Sequence, residues 1–193
     1  MNAAVAVRPP GMDDKRLVKT SKYLSRHLRH QPERLGLTLE PGGWVGVDEL
    51  LAACAARSFP LSRAELDEVI ARNDKRRFEL DAAGTRIRAS QGHSVDVDLQ
   101  LAPTAPPTVL FHGTGAGSVE AILRDGLQPM SRHHVHLSRD RETARRVGAR
   151  HGRPVVLEVD TARMAADGHV FLVSTNGIWL TDAVPPAYLE PLA

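Results

Sequence analysis

Lysine is the scarce cation of this chain. Of 25 Lys+Arg in 193 residues, only positions 15, 19, 22 and 75 are lysine and the other 21 are arginine. Cysteine is scarcer still: the single Cys54 excludes a disulfide framework and suits a reducing compartment, so a cytoplasmic location is expected. No apolar run approaches the ~18 residues of a membrane span, and no charged region followed by an apolar one opens the chain. Neither a membrane anchor nor an export signal is therefore expected. Aromatics make up 4%, yet 42% of residues are hydrophobic and the net charge is +2, which excludes a disordered composition. At 21.0 kDa the chain can form one domain or two small ones.

The arginine excess has two readings. A guanidinium grips phosphate through two parallel bonds, which an ammonium cannot do. A GC-rich genome also inflates arginine and alanine together, so position has to decide which arginines matter. Charge is unevenly spread: residues 1–100 are net +2 and residues 101–193 net zero. From Lys15 to Arg34 there are seven basic residues and one acid, Glu33. Such a run attracts polyanions, although a solvated helix face has the same composition.

Met1–Met12 reads as a loose leader. Asp13 then caps a helix that places Leu17, Ser21, Leu24 and Leu28 on one face, ending at His30 before Pro32. WVGV (44–47) is a short strand, and Asp48 caps a helix over 49–57. Ser62 with Glu65 forms a capping box for a helix over 63–72. RFEL (77–80) and TRIRAS (85–90) flank a DAAG turn as a hairpin. Three helices and a hairpin match a winged-helix pattern, which defines a first lobe over 13–101. VDVDLQL (95–101) alternates like a strand, and APTAPPT (102–108) is a Pro-rich connector.

A second lobe, 108–193, opens with strand VLFHG (109–113), a Gly-rich loop, and a helix from Ser118 to Arg124 ended by Gly126. Strand HVHLS (134–138) and a helix capped by Asp140 and reaching about His151 come next. PVVLEV (154–159), a short helix, HVFLVS (169–174) and GIWLT (177–181) complete an α+β lobe with a mostly antiparallel or split sheet.

Four clusters could carry chemistry. Arg29-His30 sets a fixed cation beside a titratable ring at a helix end, suited to holding phosphate and moving a proton; helix termini favour such residues anyway. Asn73-Asp74-Lys75-Arg76-Arg77 reads as a phosphate clamp or a solvated turn, with Arg77 outward from the face of Phe78. Phe111-His112-Gly113-Thr114-Gly115 allows close backbone approach by a ligand, yet it is neither a Rossmann nor a P-loop fingerprint. In Arg132-His133-His134-Val135-His136-Leu137-Ser138, alternation puts His134, His136 and Ser138 on one strand face. A zinc set there is poor, since no thiolate or carboxylate has ligand spacing, and a polar cleft lining fits better.

Taken together, the chain resembles the RNA 2′-phosphotransferase family, the KptA-type enzymes also called tRNA 2′-phosphotransferases. The resemblance spans about Lys19 to Thr181. It rests on SKYLSRHLRHQP (21–32), GGWVGVDELL (42–51), NDKRRFEL (73–80), QGHS (91–94), LFHGT (110–114), HVHLS (134–138), TARRVGARHG (143–152) and NGIWLT (176–181). It implies an N-terminal winged-helix lobe and a C-terminal lobe similar to ADP-ribosyltransferases, with the active site between them. It also implies a two-step reaction with NAD as consumed co-substrate. The RNA 2′-phosphate first displaces nicotinamide; the ribose 2″-OH then takes the phosphorus. The products are 2′-OH RNA and ADP-ribose 1″,2″-cyclic phosphate.

By motif, the family's Arg-His-Arg-Arg set falls on Arg29, His30, Arg77 and Arg132 as the catalytic group. His112, Gly113, Thr114, His136, Ser138 and Ile178 fall on the NAD side, with His112, His136 and Ile178 at the three signature positions. The third position carries Glu in many relatives of the wider superfamily and usually Val in this family. No metal is expected, and the implied partner is 2′-phosphorylated RNA, from tRNA splicing or elsewhere, with no obligatory protein partner. Two alternatives stay open: an ADP-ribosyltransferase that caps phosphate ends of nucleic acids, and a winged-helix nucleic-acid binder that senses NAD.

Overall fold

The computed structural model describes residues 11–73 and 75–192. The leader expected over the first ten residues, and Asp74 of the charged turn, lie outside the described residues. Two compact units divide the chain: the first runs to Gln91 and includes Val95–Val97, and the second takes Gly92–Ser94 and everything from Asp98. Every strand pairing is antiparallel, so the class is α+β.

The first unit begins with α1 (Asp14–Arg29), whose N-cap Asp13 accepts the Arg16 N–H. Leu24 and Leu28 are fully buried on its inner face, together with Thr20, Ser21 and His27. The strand expected over 44–47 contracts to β1 (Val45–Gly46). The next helix, α2 (Val47–Ala56), starts earlier than the expected Asp48 cap. The Val47 N–H is already satisfied by the carbonyl of Thr85 in the hairpin, so no side-chain cap is needed. α3 (Arg63–Ala71) carries the expected capping box in full. β2 (Phe78–Leu80) and β3 (Arg86–Ala89) form the hairpin, and β3 is the central strand of the order β1-β3-β2. Leu50, Leu66, Val69, Phe78 and Ile87 fill the core against α1. Burial pushes the Cys54 thiol up to about 11, so it packs as an inert small hydrophobe.

The second unit holds two three-stranded sheets. β4 (Val109–Gly115), β6 (Pro154–Asp160) and β9 (Leu189–Pro191) lie in the order β4-β6-β9; β5 (Val135–Leu137), β8 (Trp179–Thr181) and β7 (Leu172–Val173) lie in the order β5-β8-β7. Leu110, Leu137, Leu157, Met164, Phe171 and Trp179 form its core. α4 (Val119–Asp125) stops at Gly126, whose φ of 82° favours glycine. α5 (Arg141–Gly148) starts at Asp140, which accepts the Thr143 N–H, and a 3₁₀ turn continues it to His151. α6 (Thr161–Ala166) is the expected short helix.

Three sequence expectations need correction. The 95–101 segment alternates in burial but is not a strand, and Gln100 at φ 54° breaks its extended run. The expected 169–174 strand contracts to β7, and the edge strand β9 follows a Pro-rich stretch that hid it. The Gly-rich loop after 113 is strand: β4 pairs with β6 through Gly115↔Pro154.

The reason for those glycines is packing. A Cβ at Gly113 would sit 1.7 Å from the Ala144 carbonyl oxygen of α5, and one at Gly115 would sit 2.2 Å from that of His151. Backbone meets backbone there, so no side chain can yield. Gly113→Ala is expected to cost at least about 3 kcal/mol in denaturant unfolding. Gly117→Ala, where nothing lies within 4 Å, should stay within about 0.5 kcal/mol.

Candidate functional site

In the first unit, the end of α1 and the base of the hairpin bring Arg29 and Arg77 together. The Arg77 carbonyl accepts the Ser90 N–H at 2.9 Å, and Arg29 Nη2 approaches the same oxygen at 3.5 Å. The Arg77 guanidinium does not simply point to water. Its Nη1 donates to Ser21 Oγ at 3.4 Å and to Asn73 Oδ1 at 3.3 Å. Both acceptors are buried neutral groups, with Ser21 6% exposed and Asn73 9%. His30 is the C-cap of α1, and its exposed ring follows directly on Arg29.

Ser21 and Asn73 as positioners of Arg77 escape the sequence reading. One signal existed: Ser21 is a hydroxyl on the buried stripe of α1, where an apolar residue is the default.

In the second unit, the two sheets are tied by a bridge between Phe111 of β4 and Ser138 just after β5. The Phe111 N–H donates to Ser138 O at 2.8 Å, and the Ser138 N–H donates back at 2.7 Å. On the other edge of β4, the Ala116 N–H bonds the Arg153 carbonyl. Backbone groups alternate between the edges of a strand, so Gly113 directs its N–H and C=O to the same edge as Phe111. Side chains alternate too. Gly113 and Gly115 face α5, which leaves His112 and Thr114 on the opposite face.

The bridge brings two imidazoles together. His112 Nδ1 lies 3.1 Å from the His136 carbonyl oxygen. A carbonyl only accepts, so Nδ1 carries the proton and the neutral ring presents Nε2 as an acceptor. Arg132 Nη1 lies 3.3 Å from His136 Nδ1. Arginine only donates, so His136 carries its proton on Nε2 and presents a donor there. His112, His136 and Arg132 thus form one connected cluster, while His134 on the same strand face lies 3.8 Å from Asp182. Ser138 is buried, with its backbone committed to the bridge. Thr114 is buried 37 residues after Arg77 in sequence and in the other unit.

Ile178 follows the Asn176-Gly177 turn between β7 and β8, with Gly177 at φ 78°. The buried Ser174 fixes it: the Ile178 N–H donates to Ser174 Oγ at 3.2 Å, and the Ile178 carbonyl accepts the Ser174 N–H at 2.9 Å. The structure therefore links Arg29 with Arg77, and His112 with His136 and Arg132. Ile178 stands apart from both groups in its described bonds.

Burial lowers His112 below the usual imidazole range, with the His136 carbonyl opposing the shift. Burial lowers His134 as well, against the pull of Asp182. Crowding also lowers the Arg132 guanidinium, which stays cationic at neutral pH. Among the described residues, no group of three or more His, Cys, Asp or Glu is arranged to hold a metal ion. No helix of the described residues is long and apolar enough to cross a membrane.

In this α+β chain the Arg77 guanidinium thus donates to Ser21 and Asn73, and Arg132 to the His136 imidazole. A family model matches most of the chain. The model described as RNA 2′-phosphotransferase, Tpt1/KptA family, matches residues 15–183. Among curated relatives, a protein of Streptomyces coelicolor is 65% identical over 179 residues, covering 93% of this chain and 97% of its own. One of Trichormus variabilis is 62% identical over 179 residues, covering 93% and 98%. One of Herpetosiphon aurantiacus is 61% identical over 178 residues, covering 92% and 98%. Each is named a probable RNA 2′-phosphotransferase. The chain belongs to the RNA 2′-phosphotransferase (Tpt1/KptA) family.

The half-buried neutral His112 has a consequence for stability. Its pKa is lower folded than unfolded, so the unfolded chain binds the extra proton first. Stability is unaffected above the unfolded value of about 6.5 and falls as the pH drops below it. His112→Asn keeps a donor toward the His136 carbonyl and removes the titration. Its urea midpoint should fall less than the wild-type midpoint between neutral and mildly acidic pH, with His134 contributing the remaining slope. An identical fall in both proteins contradicts the assignment.

Proposed function

We propose that this protein is an RNA 2′-phosphotransferase that moves an internal RNA 2′-phosphate onto the ADP-ribose of NAD. The products are 2′-OH RNA, ADP-ribose 1″,2″-cyclic phosphate and nicotinamide. The observation that carries the reading is the approach of Arg29 to the Arg77 carbonyl beside an Arg77 guanidinium preorganised by Ser21 and Asn73. Preorganised donors aimed at a phosphoryl group are the main catalytic device in such transfers, since charge on the non-bridging oxygens is what must be stabilised. In this reading the first unit is a winged-helix lobe and the second is ADP-ribosyltransferase-like.

Arg29, Arg77 and Arg132 are assigned to the phosphate. His30, exposed at the helix end, is assigned to protonate the departing RNA 2′-oxygen. The donor set of the second unit fits a ribose and a carboxamide. His112 Nε2 accepts from a hydroxyl, His136 Nε2–H donates to one, and the N–H and C=O of Gly113 offer a donor–acceptor pair on one edge. Thr114, Ser138 and Ile178 complete the assigned NAD side. When bound, NAD supplies an electrophilic ribose carbon bearing a good leaving group. A 2′-phosphate is already anionic at neutral pH, so an apolar Ile178 at a position that elsewhere holds an activating carboxylate is consistent with this chemistry.

The test is turnover with NAD and an internally 2′-phosphorylated oligonucleotide. Arg77→Ala should lose roughly 100-fold or more in kcat/KM, the scale of removing one preorganised donor. Ser21→Ala, which touches Arg77 alone among the site arginines, should lose less. His30→Ala should release nicotinamide normally yet complete the transfer slowly. Wild-type transfer by His30→Ala contradicts the proton-donor role, and full activity of Arg77→Ala contradicts the site.

A further inference from the structure

We propose that the solvent face of α1 is a track for the RNA sugar-phosphate backbone, gripping phosphodiesters on one side of the 2′-phosphate. The proposal rests on the RNA reading above and extends it from the reacting phosphate to the strand that carries it. Lys15, Lys19, Lys22 and Arg26 follow the i, i+4, i+7, i+11 spacing of a single helix face. At about 100° per residue, they share an arc of roughly 60°, directly opposite Leu17, Leu24 and Leu28. All four are exposed. The row runs roughly 20 Å along the helix, at about 1.5 Å per residue, and ends at Arg29 and His30.

Four observations separate this row from an ordinary solvated face. No acid occurs between Lys15 and Arg29, so the like charges at i, i+4 repel one another without compensation. Lys15 also lies in the first turn, at the positive end of the helix dipole, where a cation is disfavoured. Elsewhere on the same unit five arginines are paired with carboxylates: Arg16 with Glu65, Arg63 with Asp67, Arg72 with Asp14 and Glu68, Arg86 with Asp81, and Arg88 with Glu79. None of the four row residues lies within ion-pair distance of a described carboxylate; Arg26 donates to Gln31, and Lys19 sits 5.8 Å from the Phe59 ring. Finally, three of only four lysines in an arginine-rich chain fall on this row. A hydrated, mobile ammonium suits a contact that tolerates any sequence and releases it, whereas a guanidinium fork fixes one phosphate.

The experiment compares the full-length wild type with the triple variant Lys15→Gln/Lys19→Gln/Lys22→Gln. Binding is followed across a salt series to a dodecamer RNA with an internal 2′-phosphate and to the same dodecamer without it. Each phosphate neutralised on a single strand contributes about −0.7 to the slope of log K against log salt. The triple variant should therefore bind both RNAs with a slope shallower by roughly two, and about 10-fold or more weaker at low salt. Lys→Arg at the same three positions should restore the slope. The urea midpoint of the triple variant should equal or exceed the wild type, because repulsion is removed.

Equal slopes for wild type and triple variant on both RNAs overturn the track, whatever the turnover. A lost slope together with no transfer of the 2′-phosphate by the wild type leaves the track standing and removes the enzymatic reading. Lysine-dependent capture of anionic phospholipid vesicles, with no such dependence for RNA, assigns the face to a membrane surface and overturns the proposal.

Discussion

The backbone of α5 lies directly on the backbone of β4, and the second unit is organised around that contact. No side chain fits at Gly113 or Gly115, so the strand can carry functional groups only on its other face and along its free edge. His112 and Thr114 occupy that face. The edge is where Phe111 exchanges two hydrogen bonds with Ser138. The same bridge delivers the His136 carbonyl to His112 Nδ1, and so fixes the tautomers of both rings. A glycine that looks like a ligand-approach device in sequence is thus first a packing device. Its backbone donor and acceptor are set along the same edge as the bridge by the same constraint.

The first unit places its cations in more than one way. Arg16, Arg63, Arg72, Arg86 and Arg88 end on carboxylates, and such pairs are worth little beyond about 1 kcal/mol when exposed. Arg77 is anchored through Ser21 and Asn73, whereas in the second unit Arg132 donates to the His136 imidazole. The row on α1 is held apart by helix geometry alone. Three groups stand out within the 21-to-4 ratio of arginine to lysine. Carboxylate-bound arginines decorate the surface. In the proposed reading Arg29, Arg77 and Arg132 meet the 2′-phosphate, and the lysines, three of four on one helix face, meet the RNA strand.

Much of the fold was legible because the local signals were strong. Asp13, the Ser62–Glu65 box, Asp140 and Gly126 mark helix boundaries where the structure has them, since cap chemistry is local. Legibility failed where a distant partner decides. The Thr85 carbonyl takes over the role expected of Asp48. The 95–101 segment has the alternation of a strand, but Gln100 in the left-handed region interrupts it. β9 exists because β6 offers it an edge.

The candidate site divides in the same way. The residue types of Arg29, Arg77, Arg132, His112 and His136 could be picked out by motif. Their supports could not, because Ser21 and Asn73 are separated by 52 positions and meet only through the fold. Of the two histidines that alternation could not separate, His136 joins His112 and Arg132, while His134 turns to Asp182.

The most direct measurement follows the phosphorus atom itself. An oligonucleotide carrying radiolabel only in its internal 2′-phosphate is incubated with the protein and NAD, and the labelled products are separated. The account predicts that all transferred label appears in ADP-ribose 1″,2″-cyclic phosphate, one per nicotinamide released. Label recovered as inorganic phosphate, or retained on RNA while NAD is consumed, would contradict it.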